Sequence, residues 1–442
     1  MKTSITNKEI WKIAYPIILG NLAQTIITFT DTAFLGHLGV VELGASMMAG
    51  LYYYVFTTLA MGFAVGIQII VARRFGERRF ERIGVVFEHG ALFILCLGVM
   101  MFLVMHFFSD KLLYLVLDSP NIYASAMEYI NYRQYGIFFV CFNYLYRSFY
   151  VGISNTKVIT FSTLLMAAVN IFLDYCLIFG NCGLPEMGIG GAALASFAAE
   201  VSACVFFFVY TYVTIPRKEY AMFQLHPIEG WLVRDIFRVA LPTMMQRMLS
   251  FGVWFVFFVM IEKMGELAIG VSSIVRSVYM LLIIPTFSFA STANTLTSRV
   301  IGAGQMLEIR AVLLKVFKNS ILTTMPLMML CVCFPSQVMS IYTDDPSLAL
   351  SAVPSIYVIC IATIIMTFAM VYFEAVSGTG NTTAALLLEI GVLILYVSYI
   401  WIMTILDVEV QWVWTAEWLY ALLIGMTSFI YMRFGKWHGK KV

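Results

Sequence analysis

The chain has 442 residues, of which 61% are hydrophobic and 12% charged, and its formal net charge is +2. Soluble domains carry about 25% charged residues, so this composition excludes a water-soluble globular protein of this length. The mean hydropathy of +0.88 indicates a polytopic membrane protein instead. A net charge this small gives no reason to expect nucleic acid as a partner, and we expect none.

Long apolar segments recur along the whole chain. A membrane-spanning helix needs about 20 mostly apolar residues, and twelve segments meet that condition. They are 11–36, 46–72, 84–108, 126–151, 157–180, 189–213, 236–262, 271–298, 312–334, 351–376, 384–406 and 412–433. The predicted fold class is therefore an all-α polytopic membrane protein with twelve transmembrane helices.

The two halves of the sequence resemble each other at an offset of 226 residues. Pro16 falls on Pro242, Gly152 on Gly378 and Asn155 on Asn381, among further matches. Six spans in each half predict two six-helix lobes related by a pseudo-twofold axis along the membrane normal, as in many secondary transporters. The predicted divisions are an N-terminal lobe at 1–213, a cytoplasmic linker at 214–235 and a C-terminal lobe at 236–442.

Charge alternates between the loops on the two sides of the predicted spans. One side holds Lys2, Lys8, Lys12, Arg73, Arg74, Arg78, Arg79, Arg82, Lys157, Arg217, Lys218, Arg234, Arg299, Arg310, Lys315, Lys318, Arg433, Lys436, Lys440 and Lys441. The other holds Glu42, Asp110, Asp118, Glu186, Glu266, Asp344, Asp345, Asp407 and Glu409. Positive loops stay in the cytoplasm, so we expect both termini inside a bacterial inner (plasma) membrane.

Motifs of common enzymes are missing from the sequence. There is no nucleotide-binding G-x-x-x-x-G-K-[ST], no zinc-protease H-E-x-x-H and no G-x-S-x-G elbow. We therefore expect neither an enzyme nor a cofactor. Transport would draw its energy from an ion gradient, with Na⁺ or H⁺ as the coupling ion.

An acidic residue inside the first span heads a polar stripe. Asn21, Gln24, Thr28 and Asp31 are spaced three, four and three residues apart, which places them on one helical face. An acid at membrane depth costs about 2.5–3.5 kcal/mol on insertion scales and is a functional candidate by default. The stripe predicts a face toward a wet cavity, and the alternative is a hydrogen-bonded network that only fixes helix packing.

The fifth span carries Asn170 and Asp174, one turn apart. Counted from the cytoplasmic ends of their spans, Asp31 and Asp174 lie at similar depth, and Ser196 on the sixth span falls near that level. These oxygens could coordinate Na⁺, or one carboxyl could load a proton. A network that merely clamps the helices is the alternative for this cluster too.

Further acidic, basic and proline residues lie within the predicted spans. Glu200 lies one turn after Ser196. We place Asn21, Gln24, Thr28, Glu200 and Glu374 in the substrate cavity. Glu200 could instead cap a polar group of a neighbouring helix, and Glu374 could instead be a carboxylate at the inner gate. The sequence does not reveal the partners of three arginines, Arg133, Arg247 and Arg276. Pro16 and Pro242 occupy matching positions in the first and seventh spans, where proline kinks a helix, and they are candidate hinges.

Several motifs in order resemble the multidrug and toxic compound extrusion (MATE) transporters over the whole chain. They are Ala14–Pro16, Asp31–Ala33 with Gly36–Gly39, Gly152 with Asn155–Lys157, Asn170 with Asp174, Pro185–Ser196 and Ser377–Thr382. The resemblance implies a V-shaped pair of lobes that exports organic, often cationic compounds by alternating access, in antiport with Na⁺ or H⁺. The expected partners are small organic substrates and the lipid bilayer, and the expected state is a monomer.

The resemblance also implies where the cation couples. One bacterial and archaeal branch uses an N-lobe site, and Asp31, Asn170, Asp174 and Ser196 match its positions, with Na⁺ possible at the first three. Another branch uses acids on the seventh and tenth spans; Glu374 could match the tenth, but the seventh carries Gln246 and Arg247, which favours the N-lobe. The alternative function is a lipid-linked oligosaccharide flippase of the same superfamily, for which Arg133, Arg247 and Arg276 would supply cationic lining.

Overall fold

A computed structural model describes residues 5–343, 346–406 and 408–437. Within these ranges the regular structure is helical and contains no strand. Six charged residues of the loop pattern lie outside the described residues: Lys2, Asp344, Asp345, Asp407, Lys440 and Lys441.

Long helices dominate the chain. In order they are α1 Asn7–Leu38, α2 Val40–Gly76, α3 Phe80–Val116, α4 Pro120–Arg133, α5 Ile137–Gly152, α6 Lys157–Phe179, α7 Gly188–Thr214, α8 Arg217–Tyr220, α9 Gly230–Glu262, α10 Glu266–Leu282, α11 Ile284–Gly302, α12 Ile309–Cys333, α13 Pro335–Met339, α14 Pro346–Gly378, α15 Thr382–Ile405, α16 Val410–Trp414 and α17 Ala416–Phe434. Two short 3₁₀ turns cover Gln134–Gly136 and Met306–Glu308.

Each of the twelve predicted spans coincides with helix. Ten helical segments of the described chain are long and apolar enough to cross a membrane singly, and α10 with α11 makes an eleventh, bent by 45°. Pro285 in the first turn of α11 accounts for that bend. The remaining span, predicted at 126–151, is formed by α4 and α5 around the 3₁₀ turn Gln134–Gly136. The all-α polytopic fold predicted from the sequence is confirmed.

Contacts divide the chain into two compact units. We call Pro16–Met244 the N-terminal unit, and Met1–Tyr15 together with Met245–Val442 the C-terminal unit. These limits differ from the lobe limits of 1–213, 214–235 and 236–442 expected from the repeat, because the first turns of α1 and α9 each pack with the other half of the sequence. The predicted limits themselves stay a prediction.

Two aromatic and polar contacts fix the first turns of α1 in the C-terminal unit. Trp11 meets the ring of Phe289 edge-on at 5.4 Å and donates its indole N–H to Asn319 at 2.9 Å. In the N-terminal unit, the start of α9 packs closely on α2, where the Thr243 hydroxyl donates to the main-chain oxygen of Gly62 at 2.7 Å. A residue larger than glycine at Gly62 would collide with the main chain of Met244.

The predicted linker is held against α3 rather than left free. The Glu88 carboxylate accepts the main-chain N–H groups of Gln224 and His226, at 2.8 and 3.0 Å. His89 accepts the N–H of Glu229 at 3.0 Å through its Nε2. These bonds satisfy main-chain donors of a segment that has only the short helix α8, so this part of 214–235 has a defined path.

Repeat-matched glycines mark close helix packing in both units. A Cβ at Gly152 would lie 2.6 Å from Val71 Cγ1 on α2, and one at Gly378 would collide with the main-chain oxygen of Asn294 on α11. Small residues allow helix backbones to approach closely in membranes. The repeat therefore preserves one packing contact, between α2 and α5 in one unit and between α11 and α14 in the other.

We expect Gly378→Ala to destabilise the protein by about 1–3 kcal/mol, the usual effect of overpacking, because the added methyl meets a main-chain atom that has little freedom to move. Thermal unfolding in detergent measures the change. Gly391→Ala in α15 is the matched control, since nothing lies within 4 Å of its added Cβ and alanine is the better helix former by about 1 kcal/mol. Equal losses in the two variants would contradict the packing argument.

Candidate functional site

The structure brings Asp31, Asn170 and Asp174 together inside the N-terminal unit. Asp31 comes from the C-terminal third of α1, and the other two from one face of α6. The side chain of Asp31 lies close enough to interact directly with both Asp174 and Asn170. Asp174 is 0% exposed and Asn170 1%. This is the arrangement that the matched depths of the two acids predict.

Most polar atoms of this cluster have no hydrogen-bond partner. They are Oδ1 of Asp31, both carboxyl oxygens of Asp174, and Oδ1 and Nδ2 of Asn170. Buried polar atoms are almost always bonded, so these five atoms could hold a proton or a cation, and a network that only clamps the helices stays the alternative.

Helix α7 packs closely on α6, the helix that carries Asn170 and Asp174. A Cβ at Gly191 would lie 2.7 Å from the main chain of Leu177, so glycine allows the two helices to touch. Ser196, the hydroxyl expected in the site, lies half-buried on α7, and no bond joins it to Asp31 or Asp174 in this arrangement. Its membership of the site stays a prediction.

A buried ion pair stands beside the two aspartates. Both terminal guanidinium nitrogens of Arg133 donate to the carboxylate of Glu200, one of them at 2.6 Å. The guanidinium also lies over the ring of Tyr53, 4.2 Å from its centroid, and acts electrostatically on Asp31. The acid that pairs with Arg133, which the sequence does not reveal, is therefore Glu200. The ion pair also shows Glu200, expected in the substrate cavity, as the counter-ion of that arginine.

The break in the fourth span makes room for this ion pair. A Cβ at Gly136 would lie 2.5 Å from Glu200 Oε2 and 2.6 Å from an Arg133 nitrogen. Gly136 ends the 3₁₀ turn that separates α4 from α5, and 3₁₀ stretches within a helix often mark functional sites. Glycine is required here by space, since its φ is an ordinary −66°.

Only part of the polar stripe of α1 contacts polar groups of other helices. Asn21 accepts from Arg147 at 2.6 Å. Gln24 and Thr28 are exposed, and the Thr28 hydroxyl donates to the main-chain oxygen of Gln24 at 3.2 Å. The stripe therefore runs from an arginine partner at one end to Asp31 at the other.

Glu374 lies in the C-terminal unit, bonded to an arginine of the seventh span. Arg247 donates to its Oε1 at 2.8 Å, and the Asn294 amide donates to Oε2 at 3.0 Å. Position 247 is the repeat equivalent of Asn21. Each unit therefore has a polar bridge from its first span to its fourth. The bridge is Asn21–Arg147 in the N-terminal unit and Arg247–Glu374 in the C-terminal unit. The arginine belongs to the fourth span in the first case and to the first span in the second.

Two further buried acids of the C-terminal unit, Glu389 and Glu417, are not among the site residues predicted from the sequence. Glu389 on α15 is 1% exposed and accepts the Ser250 hydroxyl at 2.5 Å. Glu417 on α17 is 5% exposed and accepts the hydroxyls of Tyr396 and Tyr279 at 2.8 and 3.0 Å. Glu417 lies five residues after the start of the apolar segment 412–433, a position that suggests a residue at the membrane interface. In the structure it is buried because neighbouring helices pack over it.

The candidate hinges lie where two helices pass between the units. Pro16 is the first residue of the N-terminal unit, and Pro242 precedes the second crossing by two residues. Both are inside long helices, and the main-chain oxygen of Pro16 accepts the Thr160 hydroxyl at 2.9 Å. Arg276, the third arginine of unknown partner, lies over the ring of Phe258 at 5.3 Å.

Transition-metal chemistry has no candidate centre in the described residues, where no group of three or more His, Cys, Asp or Glu side chains could hold a metal. Apolar helical spans in two repeated halves of the described chain, with acids inside them, are typical of a polytopic membrane transporter. The MatE family model matches residues 16–176 and 242–402, two stretches separated by the same offset as the internal repeat. The chain belongs to the MATE family.

Curated relatives and solved structures agree with this assignment. A probable multidrug resistance protein NorM of Thermotoga maritima is 25% identical over 381 residues, 85% of this chain and 80% of that protein. The NorM protein of Bacillus subtilis is 25% identical over 237 residues, 53% of this chain and 52% of that protein. An outward-facing multidrug resistance MATE family transporter of the MOP superfamily matches with a TM-score of 0.89 at 21% identity, covering 97% of this chain and 95% of that one.

We expect Glu200→Gln to destabilise the protein by about 3–5 kcal/mol, because it leaves the buried guanidinium of Arg133 without its carboxylate. The double variant Arg133→Met/Glu200→Leu should lose much less, since no charge is then left unpaired. Denaturant titration in detergent compares them. Glu229→Gln is the control: it breaks the half-exposed Arg82–Glu229 pair, where at most about 1 kcal/mol is expected. A loss in the double variant as large as in the single one would refute the pairing argument.

Proposed function

We propose that this chain is a secondary active efflux transporter that exports organic, often cationic compounds in antiport with Na⁺ or H⁺ by alternating access. It acts as a monomer in a bacterial inner membrane with both termini in the cytoplasm. The observation that carries the proposal is the contact of Asp31 with Asp174, where three of their four carboxyl oxygens are buried and have no hydrogen-bond partner.

Charge accounting favours cation binding at this pair. Asp31 and Asp174 bring two negative charges into the interior of the N-terminal unit, and the neighbouring guanidinium of Arg133 is already bonded to Glu200. Two adjacent carboxylates in a low-dielectric interior repel each other strongly and cannot both stay ionised without a cation. Loading a proton or Na⁺ therefore changes the charge of the unit, which is what couples an ion gradient to a conformational change.

The residues present fit either ion. Na⁺ is a hard cation that takes oxygen ligands, and Asp31, Asp174 and the Oδ1 of Asn170 offer five oxygens from two helices. A proton needs only one carboxyl oxygen and the neighbouring carboxylate as acceptor. The two ions are separable by experiment, since Na⁺ coupling responds to a sodium gradient at constant pH and proton coupling does not.

The substrate class rests on the relatives. Those compared above are described as probable multidrug resistance proteins, and export of varied organic compounds is proposed here by that likeness. The flippase alternative depended on cationic lining from three arginines. Arg133 and Arg247 instead bond to acids, and Arg276 lies over an aromatic ring, so the structure adds nothing in favour of that alternative.

We expect Asp31→Asn and Asp174→Asn each to reduce gradient-driven efflux to the level of empty vesicles, because either change removes a charge that the coupling ion must neutralise. Dye transport in everted vesicles, with Na⁺ and pH gradients imposed separately, measures the loss and identifies the ion. Asp118→Asn is the control, since Asp118 is an exposed acid outside the cluster. Normal transport by Asp31→Asn would contradict the proposed coupling site.

We also propose that Pro16 and Pro242 act as hinges in the helices that pass between the units. Proline removes one main-chain hydrogen bond and kinks a helix, which lowers the cost of bending at that point. The proposal is independent of which ion is coupled.

Pro16→Ala should slow transport while leaving the protein at least as stable, because alanine restores the hydrogen bond and stiffens α1. Transport rate and melting temperature are measured on the same preparation. The matched control is Pro326→Ala in α12, a helix that stays within the C-terminal unit, which should leave the rate unchanged. Equal effects of the two substitutions would argue against a hinge at Pro16.

A further inference from the structure

Glu389 is a buried carboxyl with only one of its oxygens engaged. On α15, it accepts at Oε1 from the Ser250 hydroxyl at 2.5 Å and from the Tyr420 hydroxyl at 3.4 Å. Its Oε2 is buried and has no hydrogen-bond partner. Three helices of the C-terminal unit, α9, α15 and α17, thus meet at this side chain.

The charged groups around Glu389 do not balance. Arg247 and Glu374 both act on it electrostatically, and the Arg247 guanidinium is bonded to Glu374 at 2.8 Å. The neighbouring acid on α17, Glu417, has its own pair of tyrosine donors. With both glutamates ionised, Arg247 would face two carboxylates, and one negative charge would remain unpaired at membrane depth, where unpaired charge is costly.

Two of the residues around Glu389 are partly exposed. The Arg247 side chain is 27% exposed, and Ser250, one turn further along α9, is half-buried. Glu389 is bonded to Ser250, and its unpartnered Oε2 can carry a proton. A proton leaving Oε2 would leave a carboxylate that accepts from Ser250 and Tyr420 and faces a guanidinium.

We propose that Glu389 is a second, exchangeable proton-binding site of this transporter, located in the C-terminal unit and separate from the aspartate pair of the N-terminal unit. The proton binds at the unpartnered Oε2 and exchanges with solvent past Arg247 and Ser250. When it leaves, the two carboxylates Glu374 and Glu389 share the charge of Arg247. Proton loss at Glu389 therefore weakens the bridge between α9 and α14 without breaking a covalent or main-chain bond.

Infrared difference spectroscopy of the purified full-length protein in lipid nanodiscs, between mildly acidic and mildly alkaline pH, tests this site. A protonated-carboxyl component that is lost at alkaline pH should be present in the wild type and in Asp31→Asn, and missing from the spectrum of Glu389→Gln, where any remaining signal comes from the other carboxyls. Since Asp31→Asn disables the proposed coupling site, this readout distinguishes a failure of the N-terminal site from a failure at Glu389. An unchanged band in Glu389→Gln overturns the proposal.

Glu417→Gln is the matched control, because Glu417 is another buried acid whose two oxygens are both bonded. It should leave the pH-dependent band in place, and loss of the band in this variant instead would overturn the assignment. Ser250→Ala covers the case in which Glu389→Gln fails to fold, since it keeps the carboxyl. Removing the hydroxyl donor should shift the same band to higher frequency, and an unshifted band would exclude Glu389 as its source.

Discussion

The pairing of ionisable side chains inside the membrane spans constrains most of this structure. An unpaired charge there is expensive, and truncating one partner of a buried pair is strongly destabilising. Arg133 with Glu200, and Arg247 with Glu374, meet this constraint by direct ion pairs. Asp31, Asp174 and Glu389 do not, and each of them has at least one buried oxygen without a hydrogen-bond partner. The groups that lack counter-ions are therefore the ones expected to exchange cations with the surroundings, and the ion pairs hold the helices around them.

The internal repeat preserves backbone packing but not charge. Gly152 and Gly378 keep the same close approach between helices in the two units. The polar bridge between the first and fourth spans also recurs, yet its arginine lies on α5 in one unit and on α9 in the other. Close packing tolerates only small residues at a contact, whereas a bridge requires only that donor and acceptor meet. A duplicated fold can therefore keep its shape while its two halves acquire different ionisable sites.

Much of the fold could be predicted from the sequence, because the length of an apolar segment and the offset of the repeat are set by the membrane and by duplication. The contact of Asp31 with Asp174 followed from their depths along two helices. The partner of Arg133 did not, because Glu200 lies on a different helix and only rotation and packing decide which side chains meet. Glu417 was missed for a similar reason: its place near the start of a segment suggests an interfacial residue, while the hydroxyls that surround it come from distant Tyr279 and nearby Tyr396.

The course of α1 links the candidate cation site to the division of the chain. This helix starts in the C-terminal unit, where Trp11 is held by Phe289 and Asn319, passes Pro16, and carries Asp31 in the N-terminal unit. A change of charge at Asp31 acts on a helix whose first turns are anchored elsewhere, and the missing hydrogen bond at Pro16 is the place where that helix resists bending least. Helix α9 is arranged similarly: Pro242 lies just before the point where the chain leaves the N-terminal unit, and Arg247 lies just after it. In both helices an ionisable group lies one to a few turns beyond a proline, so local charge and helix bending are joined along a single element in each half of the repeat.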